Sequence, residues 1–407
     1  MKIDPDGAGL DASRLERITE HLNRSYIEPQ KTAGCQTVVY RHGSVGHFSS
    51  LGSMDLERCK PVADDTIWRL YSMTKPIAGV ALMTLYERGH FRLNDPVHRF
   101  IPEWRDLRVA ERQADGSTRL VEPHRPMTVR DALMHMTGLG WGVDGPLVMD
   151  RFLDAMKVVR GGPEGTLETM IERLAERPLE FHPGTRWLYG LSTDVCGRLV
   201  EIISGQRFDD FLRTEIFEPL QMHDTGFFVP DEDIDRFAAS YGRRRDKTLK
   251  LLDNPEKSAY RRPPNFLSGG GGLVGTTEDY LRFCRMLLNG GELDGVRVLG
   301  RKTIELMSTN HLPGGGELRE FALPGGYGET GFDGVGFGLT MAVGLGPVAT
   351  QSVGTAGDFY WGGAASTIFW VDPAEDLVVI FMTQLMPSAT FDFRGQLKSI
   401  VYPAIVD

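Results

Sequence analysis

The stretch Arg69-Leu-Tyr-Ser-Met-Thr-Lys-Pro76 leads directly into an apolar run from Ile77 to Tyr86. Ser72 stands where a helix N-cap is expected, and Pro76 falls in the first turn, where its missing N–H removes no helical hydrogen bond. The small and apolar residues that follow predict a helix buried on most of its faces. Such a helix places Ser72 and Lys75 on one face, with about 5–6 Å between their Cβ atoms.

The pairing of Lys75 with Ser72 predicts a particular chemistry. Desolvation and the positive end of the helix dipole both favour the neutral form of a lysine at this position. A neutral amine can accept the proton of a serine hydroxyl, which turns the serine into a nucleophile. This is the single S-x-x-K pattern in the chain. Because about one such pattern is expected by chance, the motif predicts catalysis only together with other features.

The composition is that of a globular, enzyme-sized protein. The chain has 407 residues, of which 41% are hydrophobic and 25% are charged, so we expect two or three domains or one domain with a large insertion. A formal net charge of −10 disfavours a nucleic-acid partner. The sequence contains no 18-residue apolar run and no apolar segment near Met1, so we expect no membrane partner, no signal peptide and a cytoplasmic location.

The cysteines do not form a recognisable framework. They are scattered and contain no C-x-x-C pair, at Cys35, Cys59, Cys196 and Cys284. This spacing predicts reduced thiols rather than disulfides or a zinc site.

Strand patterns lie near the two ends of the chain, and helical patterns lie mostly between them. Hairpins are predicted around Thr37–Phe48 and over Ser366–Met382. Helical periodicity covers residues 11–28, 128–136, 147–178, 192–203, 208–217, 276–288 and 393–401. Polar segments at 105–125 and 228–265 are predicted to be surface loops, which together with a loop at 140–165 are expected to shape the rim of the pocket.

These patterns predict an α+β architecture. An antiparallel sheet domain, formed by residues 1–70 and 266–407, is flanked by helices from both termini. A mainly helical domain, residues 71–265, is inserted between the two parts. We expect the active site at their junction.

Three motifs occur in the order found in a known family. They are Ser72-Met-Thr-Lys75, Tyr189 in Trp-Leu-Tyr-Gly-Leu-Ser, and Trp361-Gly-Gly-Ala364. Together they resemble the landmark motifs of class C β-lactamases and penicillin-binding-protein-like serine hydrolases. The resemblance extends from about residue 10 to about residue 400, through Asn94-Asp-Pro96, His135-Met-Thr-Gly-Leu139, Phe181-His-Pro-Gly184, Gly269-Gly-Gly-Gly-Leu-Val274 and Phe369-Trp-Val-Asp-Pro373. It implies the β-lactamase/transpeptidase-like fold.

The chain departs from the family pattern at two positions. The second motif of the β-lactam-directed relatives is Tyr-x-Asn and the third is Lys-Thr-Gly, whereas this chain has Leu191 and Trp361. Leu191 offers no side-chain hydrogen bond and Trp361 offers no cation, so the amide and carboxylate of a β-lactam would be left under-paired. An aromatic wall at Trp361 suits an uncharged acyl or alcohol group instead. The pattern resembles family VIII carboxylesterases and the similar acyltransferases.

The resemblance implies acyl transfer in two steps without a metal or organic cofactor. Ser72 attacks an ester carbonyl, while Lys75 and Tyr189 exchange protons as base and then acid, with pKa values lowered by burial and by each other. The backbone N–H groups of Ser72 and Ala364 bind the oxyanion. The substrate-binding residues are expected to be Trp361, Gly362, Gly363 and Leu191.

We therefore expect a serine carboxylesterase that acts on uncharged, small-molecule esters with short or medium acyl chains. An acyltransferase of the same fold uses the same residues and differs only in its second acceptor. A β-lactamase or D,D-peptidase conflicts with Leu191, with Trp361 and with the missing export signal. A catalytically inactive binding protein would have no need for Ser72, Lys75 and Tyr189 together. The oligomeric state is left open.

Two further features have alternative interpretations. The glycines at 269–272 lack the Gly-Lys-Ser/Thr ending of a P-loop, so we expect them to allow close backbone packing near the site. His135 and His182 are candidate triad bases. However, no serine lies in a G-x-S-x-G elbow, so both histidines are expected to be structural.

Overall fold

The computed structural model describes residues 1–140, 162–323 and 327–407. Most of the loop expected at 140–165 and the first part of the helical region predicted at 147–178 lie outside these residues. In chain order the strands are β1 (Gly34–Arg41), β2 (Ser44–Asp55), β3 (Lys60–Pro61), β4 (Ile67–Arg69), β5 (Val109–Arg112), β6 (Thr118–Val121), β7 (Ser240–Arg243), β8 (Leu249–Asp253), β9 (Val274–Thr276), β10 (Glu292–Leu293), β11 (Val296–Arg297), β12 (Val335–Phe337), β13 (Ala342–Gly344), β14 (Phe359–Gly362), β15 (Ile368–Asp372), β16 (Leu377–Thr383) and β17 (Leu385–Met386).

The described helices include one that carries Lys75 and one that begins just after Tyr189. They are α1 (Ala12–Leu22), α2 (Thr74–Glu87), α3 (Val129–Leu133), α4 (Leu167–Ala175), α5 (Ser192–Ser204), α6 (Phe208–Leu212), α7 (Thr277–Leu288), α8 (Arg301–Met307), α9 (Leu318–Phe321), α10 (Pro347–Thr350) and α11 (Phe393–Val401). None of these helices combines the length and the apolar character needed to span a membrane.

The central sheet joins the two ends of the chain. Its strand order is β12-β13-β14-β15-β16-β1-β2-β3, and every neighbouring pair is antiparallel. The N-terminal β1 lies between β2 and the C-terminal β16, with Cys35 opposite both Leu51 and Thr383. All residues of β1 and β16 are buried. The prediction of an antiparallel sheet built from both termini is confirmed.

Helices cover both faces of this sheet. On β16, Phe381 contacts Phe393 of α11, with ring centroids 4.7 Å apart. On β15, Phe369 stands opposite Ile380 and contacts Tyr280 of α7 at 5.2 Å. Successive side chains of a strand point to opposite faces, so Ile380 and Phe381 face opposite ways. It follows that α11 and α7 pack on opposite sides, as the two apolar faces require.

The helical region packs around α2. All residues of α2 from Thr74 to Leu85 are buried, as its apolar composition predicts. It lies against α5, which also contacts α3. The helix α5 ends at Gly205, whose φ of 72° is left-handed, the conformation in which glycine commonly stops a helix.

Two segments predicted to be surface loops contain strands. Residues 105–125 include the β5–β6 hairpin, and residues 228–265 include the β7–β8 hairpin, which β17 joins in parallel. In the β5–β6 hairpin the alternation of apolar and polar residues that marks a strand is weak, because most of its residues are partly or fully exposed. In β6, for example, Thr118, Arg119 and Leu120 are all exposed.

The start of α7 contains a carboxyl group with an unusual titration. Asp279 is buried and accepts hydrogen bonds from the Asp224 N–H and the Thr225 hydroxyl, each at 2.8 Å. Burial nevertheless raises its pKa to about 6. An aspartate in an unfolded chain titrates near pH 3.9, so the unfolded chain loses this proton before the folded protein does. The contribution of Asp279 to the free energy of unfolding therefore falls as the pH rises from about 4 to about 6.

We predict that Asp279→Asn stabilises the protein above pH 6 relative to wild type, by up to about 3 kcal/mol, and that this advantage disappears below pH 4. The asparagine oxygen can accept both hydrogen bonds without carrying a charge. The measurement is the free energy of unfolding in urea at pH 4, 6 and 8, with Asp209→Asn, at a partly exposed carboxylate in the first turn of α6, as control. A difference between Asp279→Asn and wild type that does not change with pH would contradict the assignment.

Candidate active site

Ser72 lies in a 3₁₀ turn, Tyr71–Met73, between β4 and α2. The expectation that Ser72 caps the helix is wrong, because α2 begins at Thr74 and its N-cap residue is Met73, with no side-chain cap. The hydroxyl instead faces Lys75. Tyr71, the residue before Ser72, has φ of 45°, a left-handed conformation that costs a non-glycine residue about 1–3 kcal/mol. The backbone is therefore strained at the residue that precedes Ser72.

Neighbouring segments hold this turn in place. The Leu70 N–H donates to the carbonyl of Leu273 at 2.9 Å, and the Leu273 N–H donates to the hydroxyl of Thr74 at 3.1 Å. The Tyr280 hydroxyl donates to the Met73 carbonyl at 3.0 Å. Hydrogen bonds from two other segments thus fix both ends of the turn.

Lys75 lies beside Ser72 in a buried position. Its Nζ is 3.2 Å from Ser72 Oγ and donates to the carbonyl of Gly270 at 2.6 Å. The same atom lies 4.4 Å from the centre of the Tyr189 ring. Lys75 is only 4% exposed. The structure thus brings together the three residues to which the sequence assigns catalysis.

Tyr189 is surrounded by aromatic side chains. Its ring stacks on Trp187, with centroids 5.9 Å apart, and lies 5.0 Å from His135. Trp361 Nε1 donates to its hydroxyl oxygen at 3.3 Å. The prediction of a lowered pKa is wrong for Tyr189. Burial and the charge of Glu329 raise the pKa well above 10, while hydrogen bonds with Ser72 and Trp361 oppose this shift only in part.

The third motif forms a turn against the serine. After β14, a Cβ at Gly363 would lie 2.5 Å from the carbonyl oxygen of Leu70, so only glycine allows this approach. The Gly363 N–H donates to the Thr367 carbonyl at 2.8 Å and closes the turn. Ala364 follows at the turn and is half-buried. Among the described residues, no acceptor takes a hydrogen bond from the Ala364 N–H.

Two of the expected substrate-binding side chains do not reach a surface. Trp361 is 0% exposed and packs edge-to-face on Phe337, with centroids 5.5 Å apart. Leu191 is 1% exposed and immediately precedes α5. The ring of Trp361 therefore does not form the expected apolar wall of the pocket. It packs in the core, and its N–H donates a hydrogen bond to the Tyr189 hydroxyl.

His135 lies in the core beside Tyr189. His135 is fully buried, with φ of 58°, and its Nδ1 accepts a hydrogen bond from the Gly190 N–H at 3.4 Å. Burial and the charge of Lys75 lower its pKa well below 6.5, so the ring is neutral. His135 supports the segment that carries Tyr189, and in the part of the chain that the structure describes no hydrogen bond joins it to Ser72.

Sequence reasoning missed two carboxyl groups near these residues. Glu329 is buried, and burial raises its pKa, while hydrogen bonds with Ser388 and Tyr327 oppose that shift. Asp194, in the first turn of α5, accepts a hydrogen bond from the Gly270 N–H at 3.0 Å. Neither residue belongs to a motif. An acidic residue in a first helical turn is common enough to carry no signal.

Within the described residues, three potential metal ligands, those of Glu111, His124 and His182, lie within 4.8 Å of one another. His182 Nδ1 accepts a hydrogen bond from the His124 N–H at 3.2 Å, so its Nε2 carries the proton and donates to Glu111 at 2.9 Å. To bind a metal ion, His182 would have to give up one of these bonds. The cluster belongs to the β5–β6 hairpin and the loop that faces it.

Residues 19–399 match the model of the Beta-lactamase family. The chain belongs to this family. Esterase EstB of Burkholderia gladioli is 31% identical over 399 residues, covering 94% of this chain and 93% of its own. Acyltransferase calJ of Penicillium decumbens is 28% identical over 365 residues, covering 84% and 81%.

The same fold occurs among solved structures. EstCE1, described as a hydrolase with promiscuous acyltransferase activity, superimposes with a TM-score of 0.74. Its sequence is 24% identical, and the alignment covers 97% of this chain and 99% of that chain. This similarity confirms the predicted β-lactamase/transpeptidase-like α+β fold.

We predict that the phenol of Tyr189 stays protonated in the folded protein at neutral and mildly alkaline pH. Tyrosinate absorbance near 295 nm should therefore be the same in wild type and in Tyr189→Phe up to about pH 10, the ordinary tyrosine pKa. The matched variant Tyr86→Phe, on the outer end of α2, controls for loss of one phenol. A tyrosinate that forms below pH 9 in wild type and is missing only in Tyr189→Phe would contradict this prediction.

Proposed function

We propose that the protein is a serine carboxylesterase that hydrolyses uncharged esters through an acyl-enzyme on Ser72. One observation carries the proposal, the 3.2 Å contact between Ser72 Oγ and the buried Nζ of Lys75. Nucleophile and base in hydrogen-bond reach, with a third group beside them, form the general arrangement of an activated serine. Tyr189 supplies the third group.

Lys75 is the general base of the proposed mechanism. As a neutral amine it accepts the Ser72 proton while Oγ bonds to the ester carbonyl carbon. Tyr189 cannot take that proton, because its raised pKa keeps the phenol protonated. Its hydroxyl can donate a proton to the leaving alcohol oxygen and recover one from the Lys75 ammonium. In the second step water attacks the acyl carbon, and its proton passes to the Lys75 amine through the Tyr189 hydroxyl, which gives up one proton as it receives another. The Lys75 ammonium then returns a proton to Ser72 Oγ as the acyl–oxygen bond breaks, which releases the acid and restores Ser72.

The tetrahedral intermediate carries a negative oxygen that needs donors. We assign these to the backbone N–H groups of Ser72 and Ala364. The close approach of Gly363 to the Leu70 carbonyl oxygen supports the assignment, because it brings the turn against the serine. A fixed backbone N–H needs no reorganisation when charge develops, and removing one such donor costs about 2.7–4 kcal/mol in other enzymes.

The substrate class follows from what the site lacks. Leu191 and Trp361 occupy the positions of the amide and cation that pair with a β-lactam in the resembling enzymes, and both side chains are buried and apolar. A β-lactam carboxylate would therefore lose pairing partners, whereas an uncharged ester loses none. The identity of 31% with an esterase supports this choice, and we place the protein with the family VIII carboxylesterases.

Acyl transfer to an alcohol is the second candidate. The observation that favours it is the 28% identity with acyltransferase calJ over most of both chains. Both activities share the acyl-enzyme and differ only in whether water or an alcohol accepts the acyl group. A small-molecule ester as partner and a cytoplasmic location complete the proposal. The four free thiols, three of them buried, are typical of a reducing compartment.

We predict that wild type hydrolyses p-nitrophenyl acetate, butyrate or octanoate, and that Ser72→Ala lowers kcat for the best of them by at least about 10⁴-fold. A chromogenic cephalosporin should be cleaved slowly or not at all by wild type. Initial rates at equal protein concentration provide the measurement. Adding ethanol and quantifying ethyl ester against free acid separates acyltransferase from hydrolase.

Ser399→Ala, at an exposed serine of α11, is the matched control and should keep full activity. Cephalosporin cleavage faster than ester cleavage would contradict the substrate class. Ester cleavage that survives Ser72→Ala would contradict the nucleophile.

A further inference from the structure

The orientation of Lys75 depends on a backbone carbonyl. Its Nζ donates to Gly270 at 2.6 Å, a shorter contact than the 3.2 Å to Ser72 Oγ. A carbonyl oxygen can only accept, so this bond uses one N–H of the amine and directs the rest of the group. The position of the Gly270 carbonyl therefore decides where the lone pair of a neutral Lys75 points.

A buried carboxylate fixes the loop that contains Gly270. Asp194 Oδ1 accepts hydrogen bonds from the Gly270 N–H at 3.0 Å and from the Ser268 hydroxyl at 2.6 Å. Asp194 is 2% exposed. Two hydrogen bonds to one buried acceptor atom, from a side chain and from the backbone of the same loop, hold the loop in place.

The glycines of this loop allow it to lie directly on α5. A Cβ at Gly269 would lie 2.4 Å from the Thr193 carbonyl oxygen, and a Cβ at Gly270 would lie 3.0 Å from Asp194 Oδ2. The first of these contacts is too short for any other residue. This is the close backbone packing that the glycine run predicts, and its partner is the first turn of α5.

The same short segment also carries Tyr189. Leu191 follows Tyr189 by two residues, and its carbonyl accepts a hydrogen bond from the Asp194 N–H at 2.9 Å. Residues 189–194 thus hold Tyr189 at one end and, through Asp194, the Gly270 carbonyl at the other. The Tyr189 ring and the Gly270 carbonyl, which both contact Lys75, therefore depend on this one segment.

We propose that Asp194 is a positioning residue for Lys75, acting through the Gly270 carbonyl. The inference rests on the proposed function, in which Lys75 is the base. A purely structural alternative exists, because a carboxylate in the first turn of a helix also interacts favourably with the helix dipole. The test must therefore separate catalysis from stability.

The experiment compares Asp194→Ala with Asp194→Asn in hydrolysis of p-nitrophenyl butyrate. Asp194→Ala removes the acceptor, and we expect kcat to fall about 10²-fold with little change in KM, as for a small misplacement of a catalytic group. Asp194→Asn keeps an oxygen in the same place, and kcat should stay within about threefold of wild type because a neutral acceptor still holds the loop. The matched control Asp209→Ala, in the first turn of α6, should leave kcat unchanged.

Gly269→Ala is the second variant, which displaces the loop because its Cβ would lie 2.4 Å from the Thr193 carbonyl oxygen, while the Asp194 side chain is unchanged. It should lower kcat with KM unchanged and provides the test if Asp194→Ala does not fold. An unchanged kcat in either displaced variant, even with a lowered melting temperature, would overturn the proposal. Equal losses in Asp194→Asn and Asp194→Ala would also overturn it, because they would show that the charge alone matters.

These outcomes are distinct from failure of the proposed function. Wild type that hydrolyses no ester would contradict the function itself, and the inference with it. Active wild type with a fully active Asp194→Ala would contradict the positioning role alone.

Discussion

The amine of Lys75, buried between the Ser72 hydroxyl and the Gly270 carbonyl, is the constraint on which the site depends. An amine removed from water is costly unless hydrogen-bonded, so its partners must be fixed in advance. Three separate parts of the chain provide them. The turn before α2 carries the serine, the glycine loop before β9 carries the carbonyl, and the segment before α5 carries Tyr189.

The fold brings these parts to one place by ordinary packing. In the central sheet, β1 and β16 from opposite ends of the chain lie side by side, and helices cover both faces. The ends of the strands are therefore where turns can contact other segments. The turn after β14 lies at such a strand end and packs against the segment that carries Ser72. Gly363 allows its close approach to the Leu70 carbonyl oxygen. Close backbone contact thus recurs at Gly363, against Leu70, and at Gly269, against Thr193.

Much of this could be predicted from the sequence. The spacing of Ser72 and Lys75, the apolar length of α2, and the hairpin of β15 and β16 are local patterns, so local reasoning found them. The β5–β6 hairpin was missed because its exposed side chains lack the apolar alternation of a buried strand. Local patterns also did not show that α2 begins only at Thr74, after the 3₁₀ turn that holds Ser72, so the expectation that Ser72 caps the helix was wrong.

The remaining errors concern the environment of single residues. A motif shows that Tyr189 is present but not how deeply its ring is buried, and burial raises a phenol pKa instead of lowering it. Trp361 is a plausible pocket wall from sequence, yet its ring lies in the core because Phe337, which is close in space but distant in sequence, packs against it. Asp194 acts through a backbone carbonyl, for which no residue pattern exists.

The most direct test of the central claim is to find which residue acts as the nucleophile. Wild type and Lys75→Ala are treated with a fluorophosphonate, and the adduct is located by peptide mass spectrometry. The account predicts one adduct, on Ser72, that forms at least about 10²-fold more slowly in Lys75→Ala, the lower end of the usual contribution of a general base. An adduct on another residue, or equal labelling rates in the two proteins, would contradict it.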